Sequence, residues 1–346
     1  MRLGSKPRPR AAVALLYLLV LAACSREPPQ LEVSGQALGT FWTAKVTNPA
    51  PSIDASALRS AVAAALDRVD GQMSTYRPDS ELSRFNASRS VDWFPVSADL
   101  VAVMAEAQRI ATLSGGALDV TVGPLVNLWG FGPRGRPDRV PQPAELEAAR
   151  QRVGYSALSV RLDPPALRKA HPDIYVDLSA IAKGFAADQS AAAIESLGAT
   201  DYLVEVGGEL RLRGVSEGER PWRIAIERPV PGEREVEQVV QPGDSGLATS
   251  GDYRNYFEVD GKRYSHTIDP ATGRPVHHAL ASVTVIHPSA TSADGFATAL
   301  MVLGPERGMA LAEREQLAVL MVVRAGDGFE ERSSSTFSPF LAEALQ

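Results

Sequence analysis

The chain carries a single cysteine, Cys24, among 346 residues. An internal disulfide and a cysteine-built zinc site are therefore both excluded. Histidine is scarce too: the five residues at 171, 266, 277, 278 and 287 never take the HExxH spacing of a helical zinc protease. No GxxxxGK[ST] phosphate loop and no GxSxG nucleophile elbow is present. Nor is there an excess of base. Lys+Arg 35 against Asp+Glu 41 leaves a formal charge of −6, which argues against a duplex-binding surface, and no nucleic-acid partner is expected. Collagen, heptad and solenoid periods are missing. Aromatic residues make up only 6%, yet a hydrophobic fraction of 45% is ordinary for a chain that buries a core, so wholesale disorder is excluded.

One motif is present in form only. Gly130, Gly132 and Gly135 match GxGxxG, but Pro133 and Pro137 prevent the helix that a dinucleotide fold needs there.

The first residues are unlike the rest. Arg2, Lys6, Arg8 and Arg10 precede an uninterrupted apolar run at 11–23, AAVALLYLLVLAA, which is too short to span a bilayer as a helix (about 20 residues). A basic segment, a short apolar stretch and small residues before a cut form the layout of a secretory signal peptide. Leu21-Ala22-Ala23-Cys24 resembles the lipobox of bacterial lipoproteins, with Cys24 as the lipidated first residue; an ordinary signal peptide or a short anchor is the alternative. The expected organisation is a signal peptide at 1–23, a lipidated tether at 24–30 and one domain at 31–346. Losing 1–23 removes four of the 35 bases and none of the 41 acids, taking the formal charge from −6 to −10. The expected location is the bacterial cell envelope, facing the periplasm from the inner or outer membrane; Ser25 after the cysteine leans to the outer one.

In the remainder, apolar spacing predicts a helix over 56–69, a second capped by Ser97 and running to Leu113, a third from Ile181 to Leu197, and a fourth from about Ser292 to Leu303 followed by another. Strands are expected at 38–46, 158–162, 174–178, 201–206, 209–214, 222–227 and 282–287, and Asp260-Gly261 suits a type I′ hairpin. Helices and strands mix without a βαβ repeat, so the fold class is α+β.

Three places can carry chemistry. Asp294 and Thr298 lie four apart on one helix face, a carboxylate and a hydroxyl able to offer hard oxygen to Mg²⁺; Thr291-x-x-Asp294 reads equally as a capping box. His266, in SHTIDPATG, can exchange a proton near neutral pH, or serve only beside a turn. Lys183 falls in the first turns of a helix, where a lysine opposes the helix dipole unless an anion is held nearby; a solvated surface lysine is the alternative.

Together with these, the ordered segments LGT (38–40), MSTYRPDSELSRFN (73–86), SGGALDVTVGPLVNLWGFGP (114–133), VDLSAIAKGFAAD (176–188), VEVGGELRLRG (204–214), ATSGDYRNY (248–256), YSHTIDPATGRPV (264–276) and SADGFATAL (292–300) resemble the ApbE family of flavin transferases through nearly the whole mature chain. The resemblance implies a single T-fold-like domain with mixed sheets and flanking helices. It also implies a reaction: FAD is cleaved at its pyrophosphate, FMN moves to a threonine or serine hydroxyl of a target protein, AMP leaves, and Mg²⁺ is required. The implied partners are flavin-accepting subunits of membrane redox complexes. Carried over by motif, FAD is held by Leu38, Tyr76, Ala117, Leu118, Asp119, Asp177, Lys183 and Ile268, and the metal by Asp294, Thr298 and a backbone oxygen of Ala180. His266 is the expected general base, with Asp294 second. The chain departs from the family pattern at Leu38 (often Met), Leu118 (often Phe) and Ser179-Ala180 (often paired glycines); Ala297 stands where an extra acidic ligand would sit, so one metal is expected rather than two. A FAD pyrophosphatase, with water in place of threonine, and a non-catalytic flavin-binding lipoprotein are the competing functions.

Overall fold

The computed structural model describes residues 30–133, 135, 139–230, 232 and 235–342. The expected signal peptide at 1–23 and Cys24 lie outside the described residues, and Gln30, the last residue assigned to the tether, already belongs to the first strand.

Eight strands form the main sheet: β1 (Gln30–Ala37), β2 (Thr40–Thr47), β3 (Tyr202–Val206), β4 (Glu209–Arg213), β5 (Gly246–Gly251), β6 (Leu280–His287), β7 (Ala318–Ala325) and β8 (Gly328–Ser333). They lie side by side in chain order, and each pairs antiparallel with the next. The four longest helices among the described residues lie in excursions from this meander: α1 (Ala55–Met73), α2 (Ala98–Leu113), α3 (Ala182–Ser196) and α4 (Ala290–Arg314). The α+β expectation is met, with sheets of several sizes whose described ladders are all antiparallel.

Why these residues give these elements is visible at their ends and faces. The Asp54 carboxylate caps α1 by accepting from Ala57 N (2.7 Å), and Leu58, Val62, Leu66, Val69 and Met73 recur at helical spacing on its buried face. Ser97 caps α2, and Gly116 closes it in a positive-φ conformation, its N–H donating to Ala111 O (2.8 Å). Both faces of the main sheet are covered. On β7, Val319, Met321 and Val323 join the helix-side core while Ala318 and Leu320 join a second cluster with Leu212, Trp222 and Phe337. That is why β6 and β7 read as continuous apolar runs rather than alternating ones.

The expected helix ending near Leu303 and the one after it are both present, joined as α4 across a break where Gly304 takes the non-helical φ of 77° before Pro305. Two expectations need correction. Ile174–Leu178 joins no ladder: Val176 N and O are taken by the Asn86 side chain (both 2.8 Å), and Asp177 N donates to Val120 O (2.7 Å). And α4 starts earlier than expected. Ser289 is its N-cap, so Thr291 and Asp294 lie inside the helix and form no capping box. Gly130 and Gly132 belong to a loop, as the prolines require.

Candidate active site

The N-terminus of α3 abuts the second turn of α4 with no room to spare. A Cβ on Gly184 would stand 2.2 Å from Ala290 O and 2.8 Å from Asp294 Cβ. The contact is locked from the side by Asp188 of α3, whose carboxylate accepts from Ser289 Oγ (2.9 Å), Ala290 N (3.0 Å), Thr291 N (3.0 Å) and Thr291 Oγ1 (2.7 Å). A third wall comes from the β3–β4 turn, where Gly207 (φ 64°) leaves space for the Lys183 stem, 3.2 Å from where a Cβ would sit. Between these elements, the segment 117–126, which ends in the short helix Gly123–Leu128, and the segment 266–270 opens a cavity of about 1000 Å³.

Lys183 is no solvated surface lysine. Its Nζ lies 2.5 Å from Glu209 Oε1 and 3.8 Å from Asp294 Oδ1. Asp294 is 3% exposed, and its Oδ2 accepts from Gly184 N at 3.0 Å. Burial opposes the Lys183 charge, but Asp294 and Glu209 beside it prevail and hold its pKa above the ordinary lysine value. Burial raises both carboxylates, Asp294 and Glu209, and the Lys183 charge offsets only part of it. Ionising both carboxylates would leave the trio at a net −1, a buried excess that a bound cation would offset, and Glu209 Oε2 is buried with no hydrogen-bond partner.

The oxygen donors fit a hard divalent ion. Thr298 lies one turn beyond Asp294, lines the same cavity and has its Oγ1 3.4 Å from Ser250 Oγ. In a regular helix Gly184 N would bond to the carbonyl of residue 180; here it donates to Asp294 Oδ2 instead. Among the described residues there is no group of three or more His, Cys, Asp or Glu side chains able to hold a metal. A metal here would therefore rest on one carboxylate with hydroxyl, carbonyl, water and substrate oxygens, the coordination Mg²⁺ accepts and a softer ion does not favour.

His266 lines the same cavity, and its Nδ1 is 3.1 Å from the Asn255 carbonyl. A carbonyl only accepts, so Nδ1 carries the proton and Nε2 of the neutral ring is left as acceptor. Burial lowers its pKa below the ordinary histidine value, and the positive Lys183 adds to that. The loop beneath is braced: Trp129 Nε1 donates to Gly273 O (2.8 Å), Gly273 N to Asp269 O (2.8 Å), and the Phe131 ring stands edge-on to His266 at 6.3 Å.

Of the remaining expected residues, Tyr76, Ala117, Leu118, Asp119, Asp177 and Ile268 all border the cavity. Tyr76 stands at its rim, 68% exposed. Asp119 is engaged locally, accepting from Thr121 N (2.8 Å), Thr121 Oγ1 (2.6 Å) and Tyr155 N (2.9 Å); burial lifts its pKa despite these bonds. Asp177 Oδ1 turns the chain into α3 by accepting from Ser179 N (2.9 Å) and Oγ (2.5 Å). Leu38 is the exception: it sits at positive φ in the β1–β2 turn, packed on the main core, and Thr40 two residues on borders the cavity instead. Glu209 and Ser250 were missed, although both lie within the quoted segments VEVGGELRLRG and ATSGDYRNY; an acid just after a Gly-Gly turn was the available signal.

The ApbE family profile matches residues 38–321. A FAD:protein FMN transferase of Vibrio cholerae is 51% identical over 331 residues, spanning 96% of this chain and 98% of the relative. One from Haemophilus influenzae is 46% identical over 331 residues, 94% and 95% of the two chains. Among solved structures, the flavin transferase ApbE from Vibrio cholerae superposes with a TM-score of 0.85 at 50% identity, covering 91% of this chain and 100% of that one.

Proposed function

The chain belongs to the ApbE family and is a FAD:protein FMN transferase, and from that premise we propose that the Lys183–Asp294–His266 cavity moves FMN from FAD to a hydroxyl of a partner protein. Asp294, Thr298 and the Ala180 carbonyl would hold Mg²⁺, which when bound draws negative charge off the diphosphate.

The chain's own groups do the rest. The apolar edges of Ala117, Leu118 and Ile268 and the ring of Tyr76 offer surface to the aromatic parts of FAD. Lys183 holds a fixed positive charge beside the phosphates, where charge builds as the phosphoanhydride breaks. An incoming threonine Oγ attacks the phosphorus on the FMN side and loses its proton to His266 Nε2. As the new P–O bond forms, the old one opens and AMP leaves with its electron pair. His266 suits this task because its lowered pKa keeps it neutral at pH 7 and its Nδ1 is already committed.

The sequence at 1–24 supports a lipid-anchored protein of the bacterial envelope, facing the periplasm, and the acceptors in this reading are subunits of membrane redox complexes.

The observation that carries the proposal is the buried Asp294, tied to the amide of Gly184 and facing Lys183. Incubating the purified protein with FAD, Mg²⁺ and a co-expressed acceptor should leave a fluorescent flavin band on the acceptor in a denaturing gel. The Asp294→Ala protein should give none, and undiminished labelling by it would remove Asp294 from the machinery. AMP release without any acceptor would favour the pyrophosphatase reading.

A further inference from the structure

The cavity has a second end that the flavin chemistry does not use. Five consecutive residues, Arg223 to Glu227, border it, although their side chains alternate: Ile226 is buried in the sheet's second core while Arg223 and Ala225 are exposed. A strand that meets a cavity at every residue, whichever way its side chains point, meets it with its backbone edge.

That edge is unpaired. The strand Ile224–Glu227 pairs on one side only, with Val236–Val240. The far edge of the hairpin is already covered by the chain's C-terminal segment, through Ala342 N to Val239 O (3.0 Å) and Gln241 N to Phe340 O (2.8 Å). Among the described residues nothing bonds the near one. It runs for four residues, roughly 14 Å at about 3.4 Å each. Lys45 of β2 and Leu203 and Glu205 of β3 line the same cavity, and Glu227 of the strand is ion-paired with Arg254, the neighbour of Asn255, whose carbonyl orients His266.

We propose that this edge docks the acceptor polypeptide as an added antiparallel or parallel strand, delivering its threonine to His266. The inference rests on the transferase reading above. A threonine oxygen lies only two bonds from its Cα, so the acceptor's backbone must itself enter the cavity. There its N–H and C=O groups lose water and need partners. An extended chain laid on Ile224–Glu227 finds them without any demand on its side chains, and continuity with the His266 wall sets the direction of approach.

The test uses an acceptor that the wild-type chain flavinylates, and a peptide centred on its threonine. Ala225→Pro crowds the edge and removes an N–H; it should raise the acceptor KM about tenfold, the loss of one or two hydrogen bonds, with FAD affinity unchanged. With the wild-type enzyme, N-methylation scanned along the peptide should impair transfer at every second position. An unaltered acceptor KM together with a flat N-methyl scan would overturn the docking inference alone, as would a parallel loss of FAD affinity in Ala225→Pro, which would give this end of the cavity to the flavin. Absence of transfer to any acceptor by the wild-type chain would overturn the transferase reading, and the docking with it.

Discussion

Gly184→Ala tests how the fold holds its key carboxylate. The added methyl would stand 2.2 Å from Ala290 O and 2.8 Å from Asp294 Cβ, distances that helix backbone cannot absorb without α3 and α4 moving apart. Overpacking of this kind costs about 1–3 kcal/mol. The displacement also stretches the 3.0 Å bond from Gly184 N to Asp294 Oδ2, a bond to a charged group worth about 1.5–3 kcal/mol. Together these come to about 2.5–6 kcal/mol; at about 2–4 °C per kcal/mol for 150–250 residues, and less for a longer domain such as this, the melting temperature should fall by roughly 5–15 °C. Transfer should fall further than stability does, because Asp294 swings away from Lys183. Calorimetry and the initial rate of flavin labelling, both at a temperature where the variant is folded, measure the two effects. A variant that melts with the wild type and labels at the wild-type rate would refute the claim that this helix contact positions Asp294.

Other outcomes follow from neighbouring contacts. His266→Ala should slow transfer while FAD still binds, measured by stopped labelling and flavin titration. The wild-type rate should fall on the acid side with a midpoint below the ordinary histidine value of about 6.5, because burial lowers the His266 pKa and the base is lost only once that lower value is crossed. Trp129→Phe removes the 2.8 Å bond to Gly273 O and should cost about 1 kcal/mol in a denaturant melt, with a looser His266 loop lowering kcat. Asp188→Ala leaves two amides and two hydroxyls at the start of α4 without their acceptor, an expected loss of about 1–3 kcal/mol by the same melt; rescue by Asp188→Asn would be incomplete, since an amide nitrogen cannot accept.

Much of this was legible in the chain. α1 and α2 follow from apolar spacing and the caps Asp54 and Ser97, α3 from its Ala-rich run closed by Gly198, and Asp260-Gly261 turns as its residue types demand, with φ of 51° and 72°. What failed was decided at a distance. The start of α4 is set by Ser289, which caps Ser292 N, together with Asp188 from a hundred residues upstream, whose carboxylate takes the Thr291 amide and hydroxyl, so Thr291 is left inside the helix and no capping box forms there. Ile174–Leu178 has the composition of a strand, but Asn86 and Val120 reach its backbone first. Glu209 escaped notice because an acid on a strand reads as a solvent-facing position; only the fold brings Lys183 to within 2.5 Å of it. Eleven of the twelve distinct residues expected to touch flavin, metal or proton do meet in one cavity, since the spacing that ties each to its turn or helix is short-range even where their assembly is not. Leu38 is held back by its own turn geometry.

The most direct measurement is the mass of an acceptor subunit after incubation with this protein, FAD and Mg²⁺, read beside the AMP released. The account predicts one FMN added to the acceptor for each AMP, and neither product with Asp294→Ala. AMP formed with no mass added, or full FMN transfer by Asp294→Ala, would contradict it.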